Sequence, residues 1–185
     1  MSHAGHNGGP TLEAGKSWRR HCWHEARTAL LPTLPIEVVR LRVRRAAEIG
    51  LDYKTYAGVR AATGHDIVAF LFSTNALRLL APRPMLPAGH ATKLAAISGC
   101  GKIALTQAPL TTAMVLAAAP VLNAAHTAPW ALASDRVARD CLRAALGKLP
   151  SDTVLLIGDA ALERGWCAAG RLAGYLPAER FFAGP

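Results

Sequence analysis

DTVLLIGDAALERGW (residues 152–166) decides how this chain folds. Val154 to Ile157 are four consecutive branched aliphatic residues, bounded by Asp152 and by Gly158–Asp159. So short a run, rich in β-formers, reads as a strand covered on both faces. AALERGW then opens a helical pattern that carries to about Tyr175. A buried strand handing directly to a helix is the repeating unit of a parallel α/β sheet. Upstream, DIVAFLFS (66–73) and GKIALTQ (101–107) carry the same strand signal, and downstream ERFFAG (179–184) supplies a fourth. Between them, Ala88–Ser98, Thr111–Ala125, Ser134–Leu149 and Ala160–Tyr175 are expected helices. The expected fold class is α/β: a small, mainly parallel, Rossmann-like sheet with flanking helices over residues 65–185.

Ahead of that domain the pattern is different. Residues 1–16 are punctuated by glycine and proline, show no periodicity and read as a flexible arm. Residues 17–64 read as a basic three-helix unit. Ser17 caps a helix to about Leu31, a second runs from about Leu34 to Ile49, and Asp52 caps a third over Tyr53–Thr63 that Gly64 ends. In the second, Ile36, Val39, Val43, Ala46 and Ala47 form an apolar arc. Arg40, Arg42, Arg44 and Arg45 occupy the rest of the circumference. In the first, WRRHCWHEAR (18–27) sets Trp18 and Cys22 on the apolar stripe and Arg19, Arg20, His21, His24 and Arg27 outside it. Zinc held by His21 and His24 with His3 and His6 is the weaker reading, because the pattern lacks the spacing of H-E-x-x-H.

The chain has 185 residues, 51% of them hydrophobic, and a formal net charge of +9. That is enough apolar matter for a core, and the charge favours an anionic partner, nucleic acid or another polyanion. Arginine suits this role, since its fork binds phosphate oxygens in pairs. A helix-turn-helix over 53–73 is rejected, because IVAFLFS has almost no polar side chain to offer a base edge. The four cysteines show no C-x-x-C spacing, which points to reduced thiols in a cytoplasmic setting. No Asp, Glu, Lys or Arg occurs from Ile103 to Ser134, but prolines cut the run below the ~20 apolar residues of a membrane span.

Three short motifs bear on chemistry. SGCGK (98–102) lacks the first glycine and the Ser/Thr of a phosphate loop, and Cys100 reads as a buried thiol in preference to a nucleophile. In FSTNAL (72–77), Ser73, Thr74 and Asn75 follow a strand, where a turn can hold phosphate or carboxylate. Asp159 lies at the carboxyl end of its strand, the place where open α/β sheets bind ligands. It serves either as a ligand contact or as the N-cap of the helix from Ala160. Leu162, Trp166, Ala169 and Ala173 are expected to face the sheet, Gly165 and Gly170 to permit close approach, and Arg164 and Arg171 to be the nearest cations for an anionic ligand.

The opening GHNGGP, followed by a tryptophan and an Arg-rich helix, resembles the start of small uncharacterised bacterial and phage-borne proteins. The resemblance implies a bacterial setting and no mechanism. The first functional expectation is a binding or regulatory protein whose Arg-rich helices engage nucleic acid or another polyanion while the α/β part senses a ligand or dimerises. The second is a Rossmann-like enzyme acting on a small phosphorylated or nucleotide substrate near Ser73–Asn75 and Asp159. The third is an interaction subunit that exposes an apolar patch around residues 110–132. No residue pattern specifies a cofactor.

Overall fold

The computed structural model describes residues 34–183. The chain divides into two compact units, Met1–Val39 and Arg40–Pro185. Of the first, the described part is residues 34–39, where Leu34 and Ile36 are exposed. Arg19, Arg20, Arg27 and the histidines of the zinc reading lie outside the described residues.

Helices α1 (Ile36–Glu48) and α2 (Tyr53–Thr63) come first. Gly50 follows α1 at φ +69°, and Gly64 ends α2 at φ +77°, a left-handed conformation that glycine adopts without a Cβ penalty. Asp52 caps α2 as expected, its Oδ1 accepting from the Thr55 N–H at 2.9 Å. The alternating part then runs β1 (Ala69–Ser73), α3 (Ala88–Ala96), β2 (Gly101–Thr106), α4 (Thr112–Ala118), β3 (Ala124–Thr127), α5 (Asp135–Leu146), β4 (Val154–Gly158), α6 (Ala161–Gly170), β5 (Gly174–Pro177) and α7 (Ala178–Ala183). Ser134 caps α5 through the Val137 N–H.

The five strands form one sheet in the order β3-β2-β1-β4-β5, and every pairing is parallel. From β1 the chain builds outward through β2 and β3, then crosses to the other side of β1 for β4 and β5. The direction of winding therefore reverses between β1 and β4, which makes their carboxyl ends the topological switch point.

Because side chains alternate along a strand, each face of β1 feeds a different core. Phe70 and Phe72 join Ala46, Tyr56, Leu94, Val115 and Phe181 on one side. Ala69 and Leu71 join Leu142 and Trp166 on the other. All five residues of β1 and of β4 are buried, which accounts for the continuous apolar runs. Residues from α1 and α2 thus contribute to the same core as the sheet.

Two of the five strands lie where the sequence reading did not place them. The helix expected over 111–125 stops at Ala118, and residues 124–127 form edge strand β3. Pro120 cannot continue a helix. AAHT has neither a long apolar run nor β-branched density, so a half-buried edge strand left little signal. ERFFAG is not a strand: residues 178–183 form α7, and the fifth strand is GYLP just before it. Pro177 can end β5 because that strand lies at the sheet edge, and α6 has already stopped at Gly170 with Arg171 left-handed at φ +52°.

Three smaller expectations also change. Val43 is 46% exposed and Leu41 62%, so α1 buries only Ala46, beside Ile49 just past its end. Leu162 is 55% exposed and faces away from the sheet, whereas Trp166 and Ala169 are buried against it. Gly170 does permit close approach, since a Cβ there would lie 2.7 Å from Leu142 Cδ1, but Gly165 has open space around it.

Candidate ligand site at the carboxyl end of the sheet

The loops that follow β1, β2, β3 and β4 converge at one end of the sheet. Thr74 begins the first loop. Its hydroxyl donates to Gln107 Oε1 at 3.1 Å and accepts from the Gln107 N–H at 3.2 Å, clasping the β1 and β2 loops together. Ser73 is wholly buried and spends its hydroxyl on the Ala76 N–H at 3.0 Å. Both hydroxyls thus shape the turn, and Asn75 is the residue of the three that reaches the cavity.

Behind the cavity stands Glu163, 0% exposed. It is the third residue of α6, a position from which an acidic side chain can reach back to the first N–H groups of its own helix. Oε2 accepts from the Asp159 N–H at 2.6 Å and the Ala160 N–H at 3.1 Å. Oε1 accepts from Asn75 Nδ2 at 3.0 Å and Gln107 Nε2 at 3.2 Å. One carboxylate therefore ties the ends of β1, β2 and β4 to α6. Gly158 leaves it room: a Cβ there would lie 2.6 Å from Glu163 Oε2 and 2.6 Å from Tyr175 Cε2. Burial pushes the Tyr175 phenol up, and the Glu163 charge adds to the shift.

Asp159 does not cap α6. The helix begins one residue later with Ala160 at the cap position, and the Asp159 carboxylate pairs with Arg78 at 3.4 Å. Arg78 holds φ +57° in the turn after β1 and is the cation that the sequence reading missed. Arg164 lies over the Tyr175 ring, 5.0 Å from its centroid, and does not line the cavity. Arg171 ends α6 at the opposite end of the sheet. There it lines a separate concavity of about 370 Å³ with Arg139 and Arg143, where Arg139 Nε donates to the Ala169 carbonyl at 3.1 Å.

The cavity at the carboxyl end has a volume of about 440 Å³. Asn75, Thr106, Gln107 and Glu163 line it together with Pro129, Trp130, Leu162 and Trp166. Trp130 is 61% exposed at the mouth. The Thr106 side chain ends β2 here, and its Oγ1 is buried with no hydrogen-bond partner. Gln107 and Thr106 follow directly from GKIALTQ, so the rule that pointed to Asp159, looking just past a strand, also covers them. Glu163 carried no capping-box signature, because Ala160 at the cap position has no side-chain acceptor.

Arg45, expected on the polyanion face, is instead a staple at the amino end of the sheet. Its Nε meets Asp66 Oδ2 at 3.1 Å, and Nη2 donates to the carbonyls of Ile67 at 3.1 Å and Gly99 at 2.9 Å. Arg40 and Arg44 are exposed and Arg42 is half-buried. Lys102 does not resemble a phosphate-loop lysine: its Nζ donates to the Leu94 and Ile97 carbonyls and closes the end of α3. Burial pushes the Cys100 thiol up to about 12. The thiol is then protonated throughout the range below that value, and only the thiolate reacts. Iodoacetamide at pH 8 is expected to leave Cys100 unmodified in the native protein and to alkylate it fully in urea, read by peptide mass spectrometry.

Among the described residues no group of three or more His, Cys, Asp or Glu could hold a metal ion, and no helix is long and apolar enough to cross a membrane. Fold and site together define a small all-parallel α/β domain with one buried carboxylate and an amide-lined cavity at its switch point. No family model, curated protein or solved structure matches the chain.

Proposed function

We propose that this α/β domain binds a small molecule in the cavity at the carboxyl end of its sheet. The lining carries the reading: it includes the Asn75 and Gln107 amides, whose NH2 groups each donate one hydrogen to Glu163 and keep a second for a ligand. The volume lies in the range of small-molecule sites, and mostly apolar walls with a few convergent polar groups are their usual make-up. Glu163 spends both oxygens on four donors, which supports a positioning role for it and binding over catalysis for the site. The free Cys100, Cys141 and Cys167 fit the reducing cytoplasm. Fragment screening by ligand-observed NMR tests this reading. Hits are expected to lose their signal in Trp130→Ala and Leu162→Ala, and hits indifferent to both variants would place binding elsewhere.

A second reading, polyanion binding, is favoured by the exposed Arg40 and Arg44 on α1 and by the net charge of +9. With it the protein becomes regulatory, a nucleic-acid-binding helix joined to a ligand-sensing domain. Fluorescence anisotropy with duplex and single-stranded DNA and with RNA is expected to show affinity falling steeply with salt. Arg40→Ala/Arg44→Ala should weaken binding about tenfold, whereas Arg45→Ala should cost about 1.5–3 kcal/mol of stability. Absence of binding at low salt would make the charge compositional.

A further inference from the structure

Resting on the cavity reading above, we propose that the site takes an uncharged, planar heteroaromatic molecule and that Glu163 is a built-in anion that turns phosphate away. In open parallel sheets the first N–H groups of the helix after a strand are the natural seat of a ligand phosphate. Here the two N–H groups that lead into α6, part of that seat, are taken from within. The Asp159 and Ala160 N–H groups both point at Glu163 Oε2, at 2.6 and 3.1 Å. The four donors around the carboxylate are all neutral, two main-chain N–H groups and two side-chain amides. None of the described residues that line the cavity is Lys or Arg. The nearby cations are engaged elsewhere, Arg78 with Asp159 and Arg164 with Tyr175. A phosphate would enter facing a buried negative charge with no cation between them, and like charges at close range in a low dielectric repel strongly.

The rest of the cavity states what is welcome. Trp130 offers a ring face at the mouth, and Pro129, Leu162 and Trp166 supply apolar walls. Flat rings gain from such offset stacking beyond their burial alone. Along one edge lie the Asn75 and Gln107 amides, whose NH2 groups each donate one hydrogen to Glu163 and keep a second. Apolar faces with one hydrogen-bonding edge describe a heteroaromatic ring.

The test is calorimetric titration of the full chain with matched pairs, adenosine against AMP and guanosine against GMP, in wild type, Leu162→Ala, Trp130→Ala and Glu163→Gln. At least one nucleoside should bind saturably, and its monophosphate at least about tenfold more weakly. Trp130→Ala and Leu162→Ala should each weaken nucleoside binding about fivefold or more. Glu163→Gln should narrow the nucleoside-to-monophosphate ratio. Trp130 and Leu162 are both exposed, so both variants should fold, as circular dichroism would verify. A monophosphate that binds as tightly as its nucleoside, with the same sensitivity to Trp130 and Leu162, overturns the charge argument and leaves the cavity reading standing. No saturable binding of any member at millimolar concentration, or binding untouched by both variants, overturns the two together.

Discussion

Replacing Glu163 by alanine is expected to lower the unfolding free energy by about 3–5 kcal/mol, because it strands four donors at once in a dry site. The carboxylate is wholly buried and holds the Asp159 and Ala160 N–H groups on one oxygen and the Asn75 and Gln107 amides on the other. Alanine returns none of these bonds. The strands that bear them, β1, β2 and β4, are the middle of the sheet, so the loss falls on the switch point itself. Urea unfolding should show the midpoint shifted at unchanged slope, and the melting temperature should fall by roughly 10 °C for a chain of this size. Glu163→Gln keeps the shape and one good acceptor and should lose less than half as much. A cost below 1 kcal/mol for the alanine variant would mean that water takes over the four donors.

Phe181→Ala is expected to be of similar size, about 3–5 kcal/mol, for a different reason. The ring is 1% exposed. It meets Phe70 at 5.4 Å and Phe72 at 5.5 Å, both edge-on, and stands perpendicular to Phe182 at 5.0 Å. Removing it opens a cavity against the central strand, where the backbone cannot collapse to fill it. Phe182 is only half-buried, so Phe182→Ala should cost clearly less. Equal losses at the two positions would show that α7 does not seat Phe181 in the core as described.

The polar couplings around the site depend on distances along the chain that no local pattern encodes. Asn75 and Glu163 are 88 residues apart and Gln107 and Glu163 are 56 apart, yet one carboxylate joins them. Arg45 shows the same effect at the other end of the sheet. On a helical wheel it belongs to the charged face with Arg44. Only the arrival of Asp66 before β1 and of Gly99 before β2 turns it inward. Gly99 itself stands at φ +60°, with its would-be Cβ 3.0 Å from Arg45 Nη1, so the staple needs a glycine there. Asp159 was legible as a residue at the right end of a strand, but its pairing with Arg78 was not.

The sequence by itself determined the α/β class, the three inner strands, the caps at Asp52 and Gly64, and the end of the sheet at which to look. These follow from local rules. A strand buried on both faces must be continuously apolar, a helix start needs a side-chain acceptor, and a left-handed ending favours glycine. Tertiary structure alone decided the two edge strands, the helical state of ERFFAG and which polar residues meet in the cavity. Edge strands carry half the apolar signal of inner ones, and two adjacent phenylalanines satisfy either period. Whether a polar side chain lines a cavity, caps its own helix or joins two loops depends on which neighbours the winding of the sheet brings beside it.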